Sequence, residues 1–199
     1  MRMKALFRPA TLLLAPLLLL GATDEKPRLA FQGLGSIEIG TSEAVLQKRG
    51  FSDPYRSAHS QADEEYAACH YLSNETEYPG VHFMINEGRL VRIDIGENDA
   101  GIMLKSLSGA SIGMTETEIV SLYGDWIKID RHPYLDAAGS YLILDSSDGR
   151  YKMIFETATS DGSGEQLSSK PSGGPNANKR VTDFRAGLAG PANYIEGCS

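Results

Sequence analysis

Two histidines and a run of acids have side chains of the kind that ligate zinc. His70 and His82 fall on neighbouring predicted strands, and Asp63, Glu64 and Glu65 lie upstream of them. Histidine and carboxylate are both zinc ligands. None of these residues has the spacing of a zinc motif such as His-Glu-x-x-His on one helix. The sequence therefore predicts a solvated face beside an acidic loop, with no metal and no cofactor.

A second group has the residue types of a hydrolase. Ser111 lies in a Gly-x-Ser-x-Gly stretch, and Asp130 and His132 follow it in the order found in α/β-hydrolases. That serine turn requires a doubly wound α/β sheet, whereas the strand pattern described below indicates antiparallel meanders. The alternative places residues 130–134 in a solvated loop after a helix. We therefore predict that the protein is not an enzyme.

The first 22 residues have the pattern of a secretory signal peptide. Arg2, Lys4 and Arg8 precede an apolar run at residues 12–20, with no acid among them. That run is shorter than the ~20 residues of a bilayer span. We predict cleavage after Ala22 and a mature domain of residues 23–199, periplasmic or secreted. No cysteine follows the apolar run, so no lipid anchor is expected.

The chain has two cysteines, Cys69 and Cys198. An even number in an exported chain favours a disulfide over two free thiols, because the compartment is oxidising. A zinc site is less favoured, since neither cysteine has a second one nearby. The predicted bond joins the end of the chain to its middle.

The charge is acidic. The net charge is −7, and loss of the three basic residues of the signal peptide brings it to about −10. Such a surface repels phosphate backbones and anionic lipids. We therefore expect that the mature form neither binds nucleic acid nor inserts into a membrane. Another envelope or extracellular protein, particularly a basic one, is the favoured partner.

Residues 39–50 and 113–124 resemble each other. Thr41 and Thr115 stand where an N-cap side chain can accept a bond from the first-turn amides. Each segment continues with an apolar stripe and closes at a glycine, Gly50 or Gly124, that can adopt a left-handed conformation. The pattern predicts two short helices.

Strand-like runs follow each predicted helix. They are residues 66–72, 81–86 and 89–95 in the first part and 140–144, 150–157 and 180–187 in the second. Val91, Ile93 and Ile95 alternate with polar residues, so they predict one buried face. We predict an α+β domain of two similar halves, residues 33–100 and 101–199, each a helix plus a three-stranded antiparallel meander. The helices are expected on one sheet face.

Residues 160–179 are dense in Gly, Ser, Pro, Asn and Lys. Such composition buries too little apolar surface to offset its ordering entropy. The sequence predicts a flexible insertion between the last two strands.

The stretch Ile-Gly-Met-Thr-Glu-x-Glu-Ile-Val-x-x-Tyr-Gly at residues 112–124 resembles two families. One is the small lipoprotein subunit of the outer-membrane β-barrel assembly machine, and the other is the tandem-repeat β-lactamase inhibitors. The resemblance implies a helix-plus-meander fold. The lipoprotein has an acylated cysteine and one helix-plus-meander unit. This chain lacks an acylated cysteine and is predicted to have two such units. In the inhibitors each unit usually has its own disulfide, and no inhibitory residue can be placed on this chain.

Alternation turns one set of polar residues away from the predicted helices, onto an open face with mixed charge: His82, Arg92, Asp94, Lys152, Asp183 and Arg185. The first hypothesis is therefore an exported protein-binding module of the bacterial envelope, either an inhibitor of an extracellular enzyme or an envelope-assembly accessory. The alternative is a binder of a small molecule or cell-wall glycan, in a pocket between the halves near Tyr123, Trp126 and Tyr134. These aromatics are also typical of a core, and Trp126 is expected to pack there.

Overall fold

The computed structural model describes residues 26–54, 68–98, 100–159 and 175–198. The chain is α+β and mostly sheet. In chain order the elements are β1 Arg28–Ala30, β2 Gly33–Leu34, β3 Ile37–Glu38, α1 Glu43–Lys48, β4 Cys69–Leu72, β5 Val81–Asn86, β6 Arg89–Ile95, β7 Lys105–Ser106, α2 Glu116–Tyr123, the 3₁₀ helix Gly124–Trp126, β8 Ile127–His132, β9 Asp136–Asp145, β10 Tyr151–Thr159, β11 Lys179–Leu188 and α3 Ala189–Ala192.

Seven of the strands form one antiparallel sheet in the order β4-β5-β6-β11-β10-β9-β8. Its middle is the pairing of β6 with β11, which places Phe184 opposite Ile95. A smaller sheet has the order β3-β2-β1-β7. Strand β8 was not predicted, because residues 130–134 were assigned to a loop. It pairs with β9 and forms one edge of the large sheet.

Both predicted helices are present, but their caps differ. Helix α2 begins with a full capping box, in which Thr115 accepts from the Glu118 amide and Glu118 accepts from the Thr115 amide. The N-cap of α1 is Ser42, which makes no side-chain cap bond. Thr41 instead donates to the Glu38 carbonyl. The prediction of an N-cap is therefore confirmed at Thr115 and wrong at Thr41.

The two helix-to-strand junctions make the same hydrogen bonds. Leu90 exchanges backbone bonds with Gly40 and Thr41, and Val181 does so with Gly113 and Met114. The side chains that start β6 and β11 match as well. Arg89 donates to the Gly40 carbonyl and Arg180 to that of Gly113, each at 2.9 Å.

The main core lies between the large sheet, α1, α2 and the small sheet. Phe83, Ile93, Phe155 and Phe184 are fully buried on this face. Val91 differs from expectation, because β5 pairs Met84 with Arg92 but Ile85 with Leu90, and this register shift leaves Val91 without a partner on β5. Leu90 belongs to the core cluster, and Val91 does not.

Several predictions fall on undescribed residues. The signal peptide lies outside the described ranges, as do residues 160–174 of the predicted insertion and residues 66 and 67 of the first predicted strand. The insertion was predicted to extend through residue 179, but Lys179 is the first residue of β11. Its buried ammonium donates to the Gly139 carbonyl and the Ser140 hydroxyl.

The last residues cross the sheet face opposite α1 and α2, here called the outer face. Helix α3 packs on β6, β10 and β11, and the chain then continues to Cys198. Cys198 is bonded to Cys69 on β4, closing a separation of 129 residues. The predicted disulfide is therefore present. We call residues 189–198 the C-terminal segment. Within the described ranges, no helix is long and apolar enough to cross a membrane.

Gly197 fits closely under β4, and Gly197→Ala tests this packing. Its φ is +72°, and an added Cβ would lie 2.4 Å from the Tyr71 hydroxyl oxygen. We expect Gly197→Ala to lower the free energy of unfolding by about 1–3 kcal/mol, measured by denaturant titration. Gly190→Ala is the matched control, because an added Cβ there meets nothing within 4 Å. Equal stability of the two variants would contradict the described packing.

Candidate functional site

The sheet register places most of the predicted docking residues together on the outer face. His82 lies opposite Asp94, and Asp94 lies opposite Arg185, so three strands contribute one row. Arg92 and Asp183 lie on either side of that row, two positions away along their strands. The charges form a connected group in the middle of the sheet.

Arg92 is 4% exposed, and its guanidinium has partners both on the sheet and in the C-terminal segment. It pairs with Asp94 at 2.8 Å and donates to the Tyr71 hydroxyl at 2.7 Å. It also donates to the carbonyls of Pro191 and Tyr194 in the C-terminal segment, at 2.9 and 2.7 Å. Burial raises the pKa of the Tyr71 hydroxyl, so that group stays protonated.

Arg185, on the neighbouring strand β11, has a similar environment. It is also 4% exposed. Its guanidinium forms an ion pair with Glu156, donates to the Ala192 carbonyl at 2.7 Å and lies over the Tyr141 ring. The second oxygen of Glu156 is 3.3 Å from His132. Both arginines are therefore held between a sheet carboxylate and carbonyls of the C-terminal segment.

The expectation of an open face is wrong at Arg92 and Arg185. The C-terminal segment covers both guanidinium groups, which no partner protein can reach while it is in place. His82, Asp94 and Asp183 remain half-buried and border the uncovered part of the face. Lys152 is half-buried too, and it pairs with Asp145 at 3.1 Å.

Asp94 and Glu156 each form an ion pair with an arginine. Among the described residues, Asp183 forms no such pair. Burial, and then the charge of Glu156, raise the pKa of its carboxyl to about 6. Its hydrogen-bond donor is the Thr182 hydroxyl, at 2.9 Å. The positive charge of Arg185 lowers this pKa, but burial and the charge of Glu156 outweigh it. At neutral pH this part of the outer face therefore carries a charge that a cation would stabilise.

A cleft of about 530 Å³ opens beside these residues. Its lining includes His82, Gly80 and two acids, Glu75 and Glu97, together with Pro79, Asn98 and Ala100. The pairing of Phe184 with Ile95 brings Asp183 beside Gly96. Because Gly96 has no side chain, it places no group between Asp183 and the cleft. The arrangement suits an extended, positively charged group.

The aromatic pocket predicted around Tyr123, Trp126 and Tyr134 is not formed. Trp126 is 80% exposed rather than packed in the core, and Tyr134 is 63% exposed. The two lie at opposite ends of β8, about 20 Å apart for six strand residues. Tyr123 packs instead on Phe155 in the core and bonds the Ser106 hydroxyl. Strand β8 follows Trp126 where the sequence predicts a loop, and this strand separates Trp126 from Tyr134.

The other two residue sets are not assembled either. His70 lies opposite Ile85 on the core face and contacts Glu43, whereas His82 is on the outer face. Asp63, Glu64 and Glu65 lie outside the described residues. In the described part of the chain no group of three or more potential ligands is placed to hold a metal. Among the same residues, no hydrogen bond joins the Ser111 side chain to Asp130 or His132.

Three residues of the charged group were missed: Tyr71, His132 and Glu156. The alternation that selected Lys152 also selects Glu156, because both are even-numbered positions of one strand. Glu156 could therefore have been found from the sequence. His132 was assigned to a loop, and the contact of Tyr71 depends on strand pairing that one sequence does not reveal.

Comparison with family models, with curated proteins and with solved structures gives no match to this chain.

Replacing Asp183 by Asn tests the uncompensated charge. Its folded pKa lies above the ordinary value of 3.8, so between about pH 4 and 6 the folded chain holds a proton that the unfolded chain has lost. Stability from this group therefore falls as pH rises through that window. We expect Asp183→Asn to raise the free energy of unfolding by about 1–3 kcal/mol at pH 7, and by little at pH 4.

The control for this substitution is Asp125→Asn, at an exposed position of the 3₁₀ helix. Denaturant titrations at both pH values give the comparison. A loss of stability at pH 7 in Asp183→Asn would show that the carboxylate is compensated in the folded chain.

Proposed function

We propose that the chain is an exported, non-catalytic protein-binding module of the bacterial envelope, which docks a basic segment of a partner protein on the uncovered part of its outer face. The observation that carries the proposal is the half-buried carboxylates Asp94 and Asp183 beside a cleft lined by Glu75 and Glu97. A lysine or arginine of a partner would supply the missing positive charge. Complementary charge of this kind confers specificity and speeds association.

The energetic penalty at Asp183 supports a binding role. Its burial without full compensation makes the free chain less stable than it could be. Proteins commonly retain such destabilising groups at functional sites, because the ligand relieves the penalty. A purely structural surface has no need for this carboxylate.

Export is supported by the amino-terminal sequence and by the disulfide, since such bonds persist in oxidising compartments. The signal sequence itself is inferred from residues 1–22 alone. Together they favour a periplasmic or extracellular partner.

We also propose that the domain is a duplicated unit, as the resemblance to tandem-repeat inhibitors implies. The matching hydrogen bonds at Gly40 and Gly113, and the matching arginines Arg89 and Arg180, support duplication. So does the central β6–β11 pairing, which relates β4-β5-β6 to β9-β10-β11 about one axis. In this proposal Ser42, rather than Thr41, is the counterpart of Thr115. The C-terminal segment then distinguishes the two halves.

A small cationic molecule in the cleft is the second candidate. The cleft volume of about 530 Å³ lies within the usual range for ligand sites. This candidate differs from the predicted glycan pocket, because the aromatic residues expected to stack on a sugar lie apart in the fold.

Binding of a hexalysine peptide, followed by NMR shifts of the mature chain, tests the docking surface. We expect shifts concentrated at residues 80–98 and 182–184, and affinity about fivefold weaker in Asp183→Asn. Affinity should also fall between pH 7 and 5, because Asp183, with its pKa of about 6, becomes neutral. Asp125→Asn should bind as the unchanged chain does.

Shifts spread evenly over the acidic surface would contradict the proposal. A crosslinking experiment distinguishes a protein partner from a small cationic molecule. One variant has a photo-reactive amino acid in place of Glu97 and the other has it in place of Asp125, and both are expressed in the native cells. A protein crosslinked from Glu97 alone favours docking. Spermidine binding at the cleft without any crosslinked protein favours the small molecule.

A further inference from the structure

Strand β8 leaves one edge of the large sheet unpaired. It pairs with β9 on one side, and no strand of the described ranges pairs with its other side. Ile127 and Ile129 point to the core face and pack against the main cluster. Lys128 and Asp130 are exposed on the outer face. An edge of this length is a template for adding another strand.

Charge favours one way of pairing this edge with itself. In an antiparallel pair, residues directly opposite each other share a face. With Ile129 opposite Ile129 of a second copy, Lys128 lies opposite Asp130 of that copy, and the reverse pair forms too. Shifting the register by two in either direction places Lys128 opposite Lys128, or Asp130 opposite Asp130.

The opposite charges of Lys128 and Asp130 favour pairing of this edge, whereas charged edge residues usually oppose it. Charges on an edge strand ordinarily discourage pairing, because like charges meet. Here the two charges have opposite sign and stand two positions apart, so a two-fold axis through Ile129 makes them complementary. Lys128 already donates to Asp145 at 2.8 Å, and an ammonium has three donors, so it can serve both carboxylates.

The exposed aromatic residues at the two ends of β8 fit the same axis. Trp126 precedes the strand and is 80% exposed, while Tyr134 follows it and is 63% exposed. Antiparallel pairing brings the start of one strand beside the end of the other. Trp126 of each copy then lies next to the β8–β9 turn of the other, where Leu135 is also exposed. Large exposed apolar side chains are typical of interfaces.

We propose that β8 is a self-association surface, through which two copies of this chain pair antiparallel about Ile129 to form one continuous sheet. The partner is a second copy because the edge is complementary in charge to itself. This surface lies at the opposite edge of the sheet from β4 and is separate from the acidic cleft.

Charge reversal tests the register. By sedimentation equilibrium the mature chain is expected to be a dimer, and Lys128→Asp or Asp130→Lys alone should weaken dimerisation at least tenfold. The double variant reverses both members of each pair and should restore the dimer. Lys48→Asp, which makes the same charge change on α1, should leave the dimer unchanged.

Disulfide crosslinking tests the same register without charge-reversal variants, which could fold poorly. Lys128→Cys and Asp130→Cys chains are mixed and oxidised, and crosslinked dimer should be more abundant in the mixture than with either chain alone. A monomeric unchanged chain at about 100 µM would overturn the proposal. So would folded charge variants that dimerise normally, a double variant that fails to recover, or crosslinking no greater in the mixture.

Discussion

Burial of two guanidinium groups at the centre of the outer face is the constraint on which the rest of this structure depends. A charge removed from water is costly unless it is paired and its remaining donors are bonded. Asp94 and Glu156 supply the paired charge for Arg92 and Arg185, respectively. Carbonyls of the C-terminal segment accept further bonds from both guanidinium groups. The arginines and the segment therefore stabilise each other, and the disulfide limits how far the segment can move away.

The same cover makes the outer face asymmetric. One part is closed by the C-terminal segment, while His82 and Asp183 are only half-buried by the described residues and lie beside an acidic cleft. The guanidinium groups of Arg92 and Arg185 are bonded within the chain, whereas the charged residues that line the cleft include the acids Glu75 and Glu97. This reverses the mixed-charge docking surface expected from strand alternation alone, and it explains why a basic partner suits the proposal.

Much of the fold could be predicted from local patterns. Threonine and glutamate three positions apart mark the capping box of α2, and period-two alternation places His82, Asp94 and Arg185 on one face. Features that depend on tertiary pairing could not be predicted. The unpaired Val91 reflects a register shift between strands, and the exposure of Trp126 reflects an edge strand after it. Burial of the arginines requires a segment whose path only the fold determines.

The most direct test of this account is amide hydrogen exchange of the C-terminal segment in the oxidised mature chain. Ala189, Asn193 and Tyr194 donate backbone hydrogen bonds there. The account predicts that these amides exchange at least about 100-fold more slowly than in an unstructured chain. It also predicts that Arg92→Met removes the protection at Tyr194 while leaving β10 protected. Exchange of the segment at unstructured rates in the unchanged, oxidised chain would contradict the claim that it closes the outer face.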